Sequence, residues 1–209
     1  MHIEFKSMSA GEVYAMLTQT IVPRPVAWVL SLNVDDSLNL APFSFFNAVC
    51  SDPPTIMLSI GRHADGREKD TRRNIRERGE FVVHIAHSEQ AGAMTSTSAS
   101  LAPGRSELEH AGDKFGSQLL RLVSMPGSSL PRLAECRVAF ACQHTESLEI
   151  GSQAVIFARV SDIWLDEQIV DTDAKGRTRV DAKALDPIGR LGGGEYVTAV
   201  SVITVERPS

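Results

Sequence analysis

Residues 69–74 bring together side chains suited to binding an anion. Lys69 supplies a positive charge, Thr71 a hydroxyl group and Asn74 a side-chain amide. Asp70 is typical of a residue that caps the start of a helix, and the first backbone amides of that helix would be free to donate hydrogen bonds to the same anion. The segment therefore predicts a phosphate site. A charge-rich surface helix without any ligand explains the same composition and is the alternative.

A second segment, A-P-F-S-F-F-N at residues 41–47, combines phenyl rings with polar side chains. Pro42 has no N–H group to donate to a strand ladder, so we expect a bend there that leaves nearby backbone amides free to face a ligand. Alternation along a strand predicts that the rings of Phe43 and Phe45 share one face. The predicted ligand contacts are Ser44, Phe45, Phe46 and Asn47. An ordinary strand with core aromatics is the alternative.

Two arginines outside these segments are further candidates. Arg24 lies between two prolines, which give its guanidinium a stiff base, and a guanidinium suits a phosphate or a ring carbonyl. A surface salt bridge explains Arg24 equally well. Arg190 begins the segment R-L-G-G-G-E-Y, which ends at Tyr196 and does not read G-x-G-x-x-G. Its glycines indicate a sharp turn or a close backbone approach rather than a dinucleotide-binding motif.

The histidines and cysteines do not predict a metal site. His84 and His87 are three residues apart and would point to opposite faces of a strand. Cys136 and Cys142 lack ligand partners, and the odd total of three cysteines argues against a disulfide framework. If the His84 imidazole lies near a bound ligand, its titration would make activity pH-dependent.

Hydrophobic patterning predicts a mainly β protein with peripheral helices. Ser9 and Glu12 have the spacing of a capping box that begins a short helix. A second helix is expected to start at Asp70, to expose Arg72 and to end at Gly79. The strands are predicted at residues 25–32, 38–49, 55–60, 81–85, 136–144, 154–165 and 196–205. Frequent turn signals between these strands favour a β-barrel, and without a repeat or linker we predict a single domain over residues 1–209.

Size and charge exclude several classes of function. A chain of 209 residues can bury a full hydrophobic core. Its formal net charge of −5 argues against a nucleic-acid partner, because such proteins need a basic surface. The first residues lack the pattern of a secretory signal, and no apolar stretch is long enough to cross a bilayer. We therefore expect a cytoplasmic protein with no membrane partner.

Four sequence blocks occur in a characteristic order in the first 75 residues. They are I-V-P-R-P-V-A-W at 21–28, N-L-A-P-F-S-F-F-N at 39–47, D-P-P-T-I-M-L-S-I at 52–60 and K-D-T-R-R-N-I at 69–75. In this order and spacing they resemble the flavin reductase-like family, and a weaker similarity extends to residues 189–196. The resemblance implies a split β-barrel that binds FMN and forms a homodimer.

The same resemblance implies a set of cofactor contacts and a reaction. The implied contacts are Arg24, Ser44, Phe45, Phe46, Asn47, Ser59, Lys69, Asp70, Thr71, Asn74, Arg190 and Tyr196. The implied activity is that of an NAD(P)H-dependent flavin reductase, which passes electrons through FMN to a flavin such as FAD or to another acceptor, including a monooxygenase or electron-transfer partner. No catalytic acid, base or nucleophile is required, because the cofactors carry the reacting atoms.

The chain departs from the family pattern at two places. It has G-S-Q at residues 151–153, where reductases that serve monooxygenases often have Gly-Asp-His. This difference favours relatives that keep FMN bound, such as the flavoredoxin-like electron carriers that a protein partner reduces. His84 stands where many relatives have asparagine. A barrel that binds another ligand without catalysis is a third reading.

Overall fold

The structure is a computed structural model that describes residues 1–101, 106–198 and 201–205, and antiparallel strands are its main regular elements. The strands in these ranges are β1 (Arg24–Pro25), β2 (Ala27–Leu32), β3 (Leu38–Phe43), β4 (Phe46–Ser51), β5 (Pro54–Ile60), β6 (Glu80–Ile85), β7 (Leu122–Ser124), β8 (Pro131–Leu133), β9 (Val138–Ile150), β10 (Gln153–Leu165), β11 (Val170–Thr172), β12 (Thr178–Val180), β13 (Gly189–Arg190) and β14 (Tyr196–Val197). The helices are α1 (Ala10–Thr20), α2 (Asp70–Arg78), α3 (Ala91–Ser96), α4 (Glu107–Phe115) and α5 (Ala182–Leu185).

One seven-stranded sheet curves back on itself. Its strand order is β3-β2-β6-β9-β10-β5-β4, with every neighbouring pair antiparallel. The two edge strands, β3 and β4, are joined by only Ser44 and Phe45, so the two edges of the sheet lie close together. The backbone amide of Ser59 in β5 donates to the carbonyl oxygen of Phe45 at 2.8 Å. This arrangement confirms the predicted mainly β architecture with peripheral helices.

Strand β2 is buried on both faces, as its sequence predicts. Val29 lies in the apolar cluster inside the curved sheet, together with Leu58 and Phe81. Trp28 and Leu30 lie in a second cluster between the outer face of the sheet and the helices α3 and α4. The Trp28 indole N–H is satisfied by the hydroxyl of Thr97 at 2.9 Å, so the ring is buried without an unpaired donor.

The helix boundaries agree with the sequence in two places and differ in one. Ser9 and Glu12 form the predicted capping box of α1, and Gly79 ends α2 in the left-handed conformation with φ +75°. The prediction that Asp70 caps α2 is wrong, because Lys69 is the cap residue and makes no side-chain capping bond. Asp70 is the first helical residue, where its negative charge suits the helix dipole and its carboxylate pairs with Arg73 at 2.6 Å.

Three further sequence predictions are corrected by the fold. Pro42 does not break its strand but pairs with Trp28 within β3, an edge strand in which proline is tolerated. The break comes at Ser44 and Phe45, so side-chain alternation does not continue through residue 45. The last predicted strand is only Tyr196–Val197; residues 201–205 are not in a strand, and residues 199, 200 and 206–209 lie outside the described part.

The prediction that Arg72 is exposed is also wrong. Its side chain is buried and forms ion pairs with Glu68 at 3.0 Å and with Glu149 of β9 at 2.6 Å. The contact with Glu149 holds α2 against the end of the β9–β10 hairpin. None of the helices in the described ranges has both the length and the apolar character that a membrane crossing requires.

Candidate functional site

A cavity of about 390 Å³ lies beside the open seam between β3 and β4. Segments from across the chain line this cavity. The lining residues are Tyr14, Val26, Pro42, Phe43, Ser44, Phe45, Ser59, Gly61, Arg62, Lys69, Ser98, Gln153, Arg190 and Tyr196. The volume is within the range of roughly 300–1,000 Å³ that is typical of small-molecule sites. The cavity is therefore large enough for part or all of an organic ligand.

The lining is cationic although the chain is acidic overall. Arg62, Lys69 and Arg190 line the cavity, and no aspartate or glutamate does so in the described part of the chain, whose full sequence has a net charge of −5. Burial lowers the pKa of the Lys69 ammonium group. Because burying a charge is costly unless a partner compensates it, this lining favours an anionic ligand.

Aromatic rings form one wall of the cavity. Phe43 and Phe45 lie at the seam, and the Lys69 ammonium nitrogen is 5.8 Å from the centroid of the Phe43 ring. The ring centroids of Tyr14 and Phe45 are 6.2 Å apart, at an interplanar angle of 39°. Since more than half of the Tyr14 surface is exposed, this ring stands at the mouth of the cavity. The wall suits a flat ring system.

Ser44 can donate a hydrogen bond into the cavity because another residue already occupies its acceptor side. Nε of Arg24 donates to the Ser44 hydroxyl oxygen at 3.3 Å, which leaves the hydroxyl proton of Ser44 available. Arg24 itself is buried and does not line the cavity. Its other N–H groups bind the carbonyl oxygens of Thr18, Ile21 and Leu191. Arg24 therefore connects the end of α1, the seam and the glycine-rich segment.

Gln153 and Ser59 form a second polar contact in the lining. The Ser59 hydroxyl donates to Oε1 of Gln153 at 3.3 Å. Gly61 is close to the Gln153 side chain: a Cβ atom at residue 61 would come within 2.8 Å of Nε2 of Gln153. Glycine at residue 61 therefore leaves space for the Gln153 amide, which belongs to the G-S-Q segment at residues 151–153.

The C-terminal segment contributes Arg190 and Tyr196 through the antiparallel pair β13 and β14. The Arg190 guanidinium donates to the Tyr196 hydroxyl and to the carbonyl oxygen of Gly193. The Tyr196 hydroxyl also contacts Oγ1 of Thr95 at 2.9 Å. Gly193 has φ +58°, a conformation that glycine adopts without strain, so the turn prediction for this segment agrees with the structure.

Other sequence-predicted contacts lie outside the cavity lining. Thr71 and Asn74 face inward from α2 and are buried: the amide of Asn39 donates to the Thr71 hydroxyl at 2.7 Å, and the Asn74 amide donates to Ser31 at 3.1 Å and Asn33 at 2.8 Å. The first-turn residue Asp70, the interior residue Phe46 and the exposed Asn47 also do not line it. Of the predicted contacts, the structure brings together Ser44, Phe45, Ser59, Lys69, Arg190 and Tyr196.

Several lining residues were not among the predicted contacts. Arg62 follows the sequence block at residues 52–60, and Gln153 belongs to the G-S-Q segment, so the sequence marked their neighbourhood but not the residues themselves. Tyr14 lies in α1 and Ser98 lies two residues after α3, and neither belongs to a segment that predicted a ligand. Only the folded chain brings these two residues to the seam.

His84 and His87 contact different groups and neither lines the cavity. The His84 imidazole is fully buried: Nδ1 contacts the carbonyl oxygen of Trp28 at 3.0 Å, and Nε2 accepts from the Leu133 amide at 3.0 Å. Burial lowers the pKa of His84 to about 4, so this residue does not titrate near neutral pH as the sequence-based hypothesis required. In the described ranges, no three His, Cys, Asp or Glu side chains form a group that could hold a metal ion.

Comparison with known proteins places this site in a family context. The chain is 33% identical to nitrilotriacetate monooxygenase component B from Bacillus cereus, with 98% of each chain covered and a TM-score of 0.86. It is 27% identical to the 2-nitrobenzoate 2-nitroreductase NbaA of Pseudomonas fluorescens, with 100% of this chain and 97% of that chain covered and a TM-score of 0.85.

The fold and the family are both established by these likenesses. A protein with a split barrel domain from Shewanella frigidimarina is 16% identical, with both chains fully covered and a TM-score of 0.81, which confirms the predicted split barrel. The family model named "Flavin reductase like domain" matches residues 19–179. The chain therefore belongs to the flavin reductase-like family.

Proposed function

We propose that this protein is an FMN-dependent oxidoreductase that takes a hydride from NAD(P)H and passes the electrons to a flavin or another acceptor. The observation that carries the proposal is the cationic, aromatic-walled cavity at the barrel seam. FMN combines a phosphomonoester, which carries nearly two negative charges at neutral pH, with a flat three-ring system. The chemistry of the lining fits both parts.

The cations would hold the phosphate. Lys69 is half-buried with a pKa lowered by burial, so an anion beside it would restore a favourable environment for its charge. Arg62 and Arg190 offer planar, multi-donor groups on the same lining. A charge-assisted hydrogen bond to phosphate is about twice as strong as one between neutral groups.

The remaining lining would orient the ring system. Phe43, Phe45 and Tyr14 supply apolar surface, and the free hydroxyl proton of Ser44 supplies a donor fixed in place by Arg24. Ser59 and Gln153 supply polar groups at another side of the cavity. The redox chemistry itself belongs to the flavin, so the protein need only bind, orient and exclude water.

The nature of the relatives supports an oxidoreductase over a passive binding module. One is a component of a monooxygenase and another is a nitroreductase, and each matches nearly the full length of this chain. A two-component arrangement, in which reduced flavin or its electrons leave for a partner protein, is the form of the reaction that we propose. FMN is the flavin we expect to be bound, with FAD as an alternative flavin substrate.

We also propose that the protein is a homodimer. Strand β4 is a free edge of the sheet, and Val49 on it is 50% exposed. Leu148 and Ile150, at the end of β9, are 52% and 58% exposed. Unpaired strand edges and exposed apolar side chains are features that association would cover. Light scattering should give twice the monomer mass, and Val49→Asp together with Leu148→Asp should reduce it to the monomer value.

Two measurements test the oxidoreductase proposal. FMN added to the flavin-free protein should be bound at micromolar concentration, with a change in flavin absorption and fluorescence. NADH or NADPH added under argon should then bleach the absorption of the bound flavin. Failure to bind FMN would refute the proposal. Tight binding without bleaching would instead identify an electron carrier that a protein partner reduces.

A further inference from the structure

A second cleft adjoins the main cavity. It has a volume of about 510 Å³ and lies between α3 and α4. Ser98 and Tyr196 belong to the lining of both spaces, so the two are continuous around the Tyr196 ring. By contrast, the groove between α1 and the glycines at 192–194 shares no lining residue with the main cavity and includes Glu195.

Part of the lining of this cleft is apolar. It includes Ala91, Gly92 and Ala99, and the ring of Phe115 packs against Gly92. A Cβ atom at residue 92 would lie 2.6 Å from Cε1 of Phe115, so glycine is required for this close contact. Small residues beside an aromatic ring form a surface on which a planar base can lie.

One wall of the cleft carries a lysine and a histidine. His110 and Lys114 are four residues apart on α4, so they share one face of the helix, and both line the cleft. Glu109 and Asp113 occupy the neighbouring stripe of the same helix and do not line it. Among the described lining residues there is no carboxylate. The positive charge of Lys114 therefore faces the cleft, while the carboxylates of Glu109 and Asp113 do not line it.

We propose that the α3–α4 cleft binds the phosphate-bearing adenosine end of the nicotinamide substrate. This inference rests on the proposed function: a hydride donor must place its nicotinamide ring in the main cavity, so the rest of the dinucleotide must occupy connected space. The cleft is connected to the main cavity around Tyr196 and offers apolar surface, including the Phe115 ring, for the adenine ring. Lys114 provides a positive charge for a phosphate group, and His110 provides ring nitrogens that can form a hydrogen bond with it.

Calorimetric titration of the FMN-free protein tests the cleft independently of catalysis. We expect 2′,5′-ADP or 5′-AMP to bind more tightly than adenosine. Lys114→Gln should weaken binding of the phosphorylated ligand by roughly 3- to 10-fold, the range for a solvent-exposed charge-assisted contact. The matched control is Lys175→Gln, in an exposed turn between β11 and β12, which should leave binding unchanged. A preference for 2′,5′-ADP would indicate NADPH, and equal binding of the two nucleotides would indicate NADH.

The kinetic experiment separates failure of this inference from failure of the proposed function. In the Lys114→Gln enzyme, the KM for NAD(P)H should rise by a similar factor, while kcat and the Kd for FMN stay at the wild-type values. Adenosine binding as tightly as its phosphates, or an unchanged nucleotide Kd in Lys114→Gln, would overturn the cleft assignment even if FMN binds. Loss of FMN binding in the wild type would instead refute the proposed function, and the calorimetric result would still stand.

Discussion

Replacing Lys69 by methionine should have opposite effects on the ligand-free and the FMN-bound protein. Methionine keeps the length and apolar surface of the side chain and removes only the charge. In the ligand-free protein, Lys69 is half-buried with its pKa lowered by burial, so folding disfavours its charged form. Removing that charge should leave the free energy of unfolding unchanged or raise it.

The FMN-bound protein should lose affinity because the phosphate loses a charged donor. A hydrogen bond to a charged group contributes about 1.5–3 kcal/mol, and partial exposure of Lys69 reduces this contribution towards the lower end. A loss of about 1–2 kcal/mol corresponds to a roughly 5- to 30-fold increase in the Kd for FMN. Binding by the wild type should also weaken with added salt more steeply than binding by the variant.

Flavin fluorescence titration gives the Kd, and urea unfolding of the ligand-free protein gives the stability. Lys175→Met, in an exposed turn, is the control for general loss of a lysine and should match the wild type in both measurements. The reasoning is refuted if Lys69→Met binds FMN as tightly as the wild type. It is also refuted if the ligand-free variant is clearly less stable, because Lys69 would then have a structural partner.

Three further substitutions test individual contacts. The pKa of His84 is about 4 in the folded protein and about 6.5 in the unfolded chain, so neutral His84 makes its full contribution to the free energy of unfolding above pH 6.5, and that contribution is lost as the pH falls towards 4. Between pH 7 and 5 the wild type should therefore lose roughly 2 kcal/mol more than His84→Asn in urea unfolding. Equal losses in the two proteins would contradict this. Thr71→Val should lower the free energy of unfolding by about 1–3 kcal/mol, because the buried Asn39 amide loses its acceptor. The Kd for FMN, measured by fluorescence titration, should change little. A large loss of FMN affinity at unchanged stability would instead show that Thr71 contacts the cofactor. Arg24→Lys should lower both the melting temperature and the affinity for FMN, since one ammonium group cannot replace four separate guanidinium contacts. An unchanged Kd for FMN would show that FMN binding does not depend on Arg24 holding Ser44 in place.

The family and several of the secondary-structure elements could be predicted from the sequence alone. Apolar residues on both faces of residues 25–32 indicated a strand with core on each side, and β2 has that environment. The capping box at Ser9 and the glycine at residue 79 marked helix ends that the structure confirms. These features are local: they depend on side-chain periodicity and backbone preferences within a few residues, which the sequence displays directly.

Which side chains line the cavity depends on the tertiary structure. Residues 69–74 look like one binding motif, yet Lys69 lines the cavity while Thr71 and Asn74 turn inward to Asn39, Ser31 and Asn33. Local sequence cannot distinguish these two directions, because the choice depends on where strands β2 and β3 pass beneath the helix. Tyr14, Gln153 and Arg190 meet at the seam from distant parts of the chain for the same reason. Their positions follow from the closure of the sheet, which no single segment specifies.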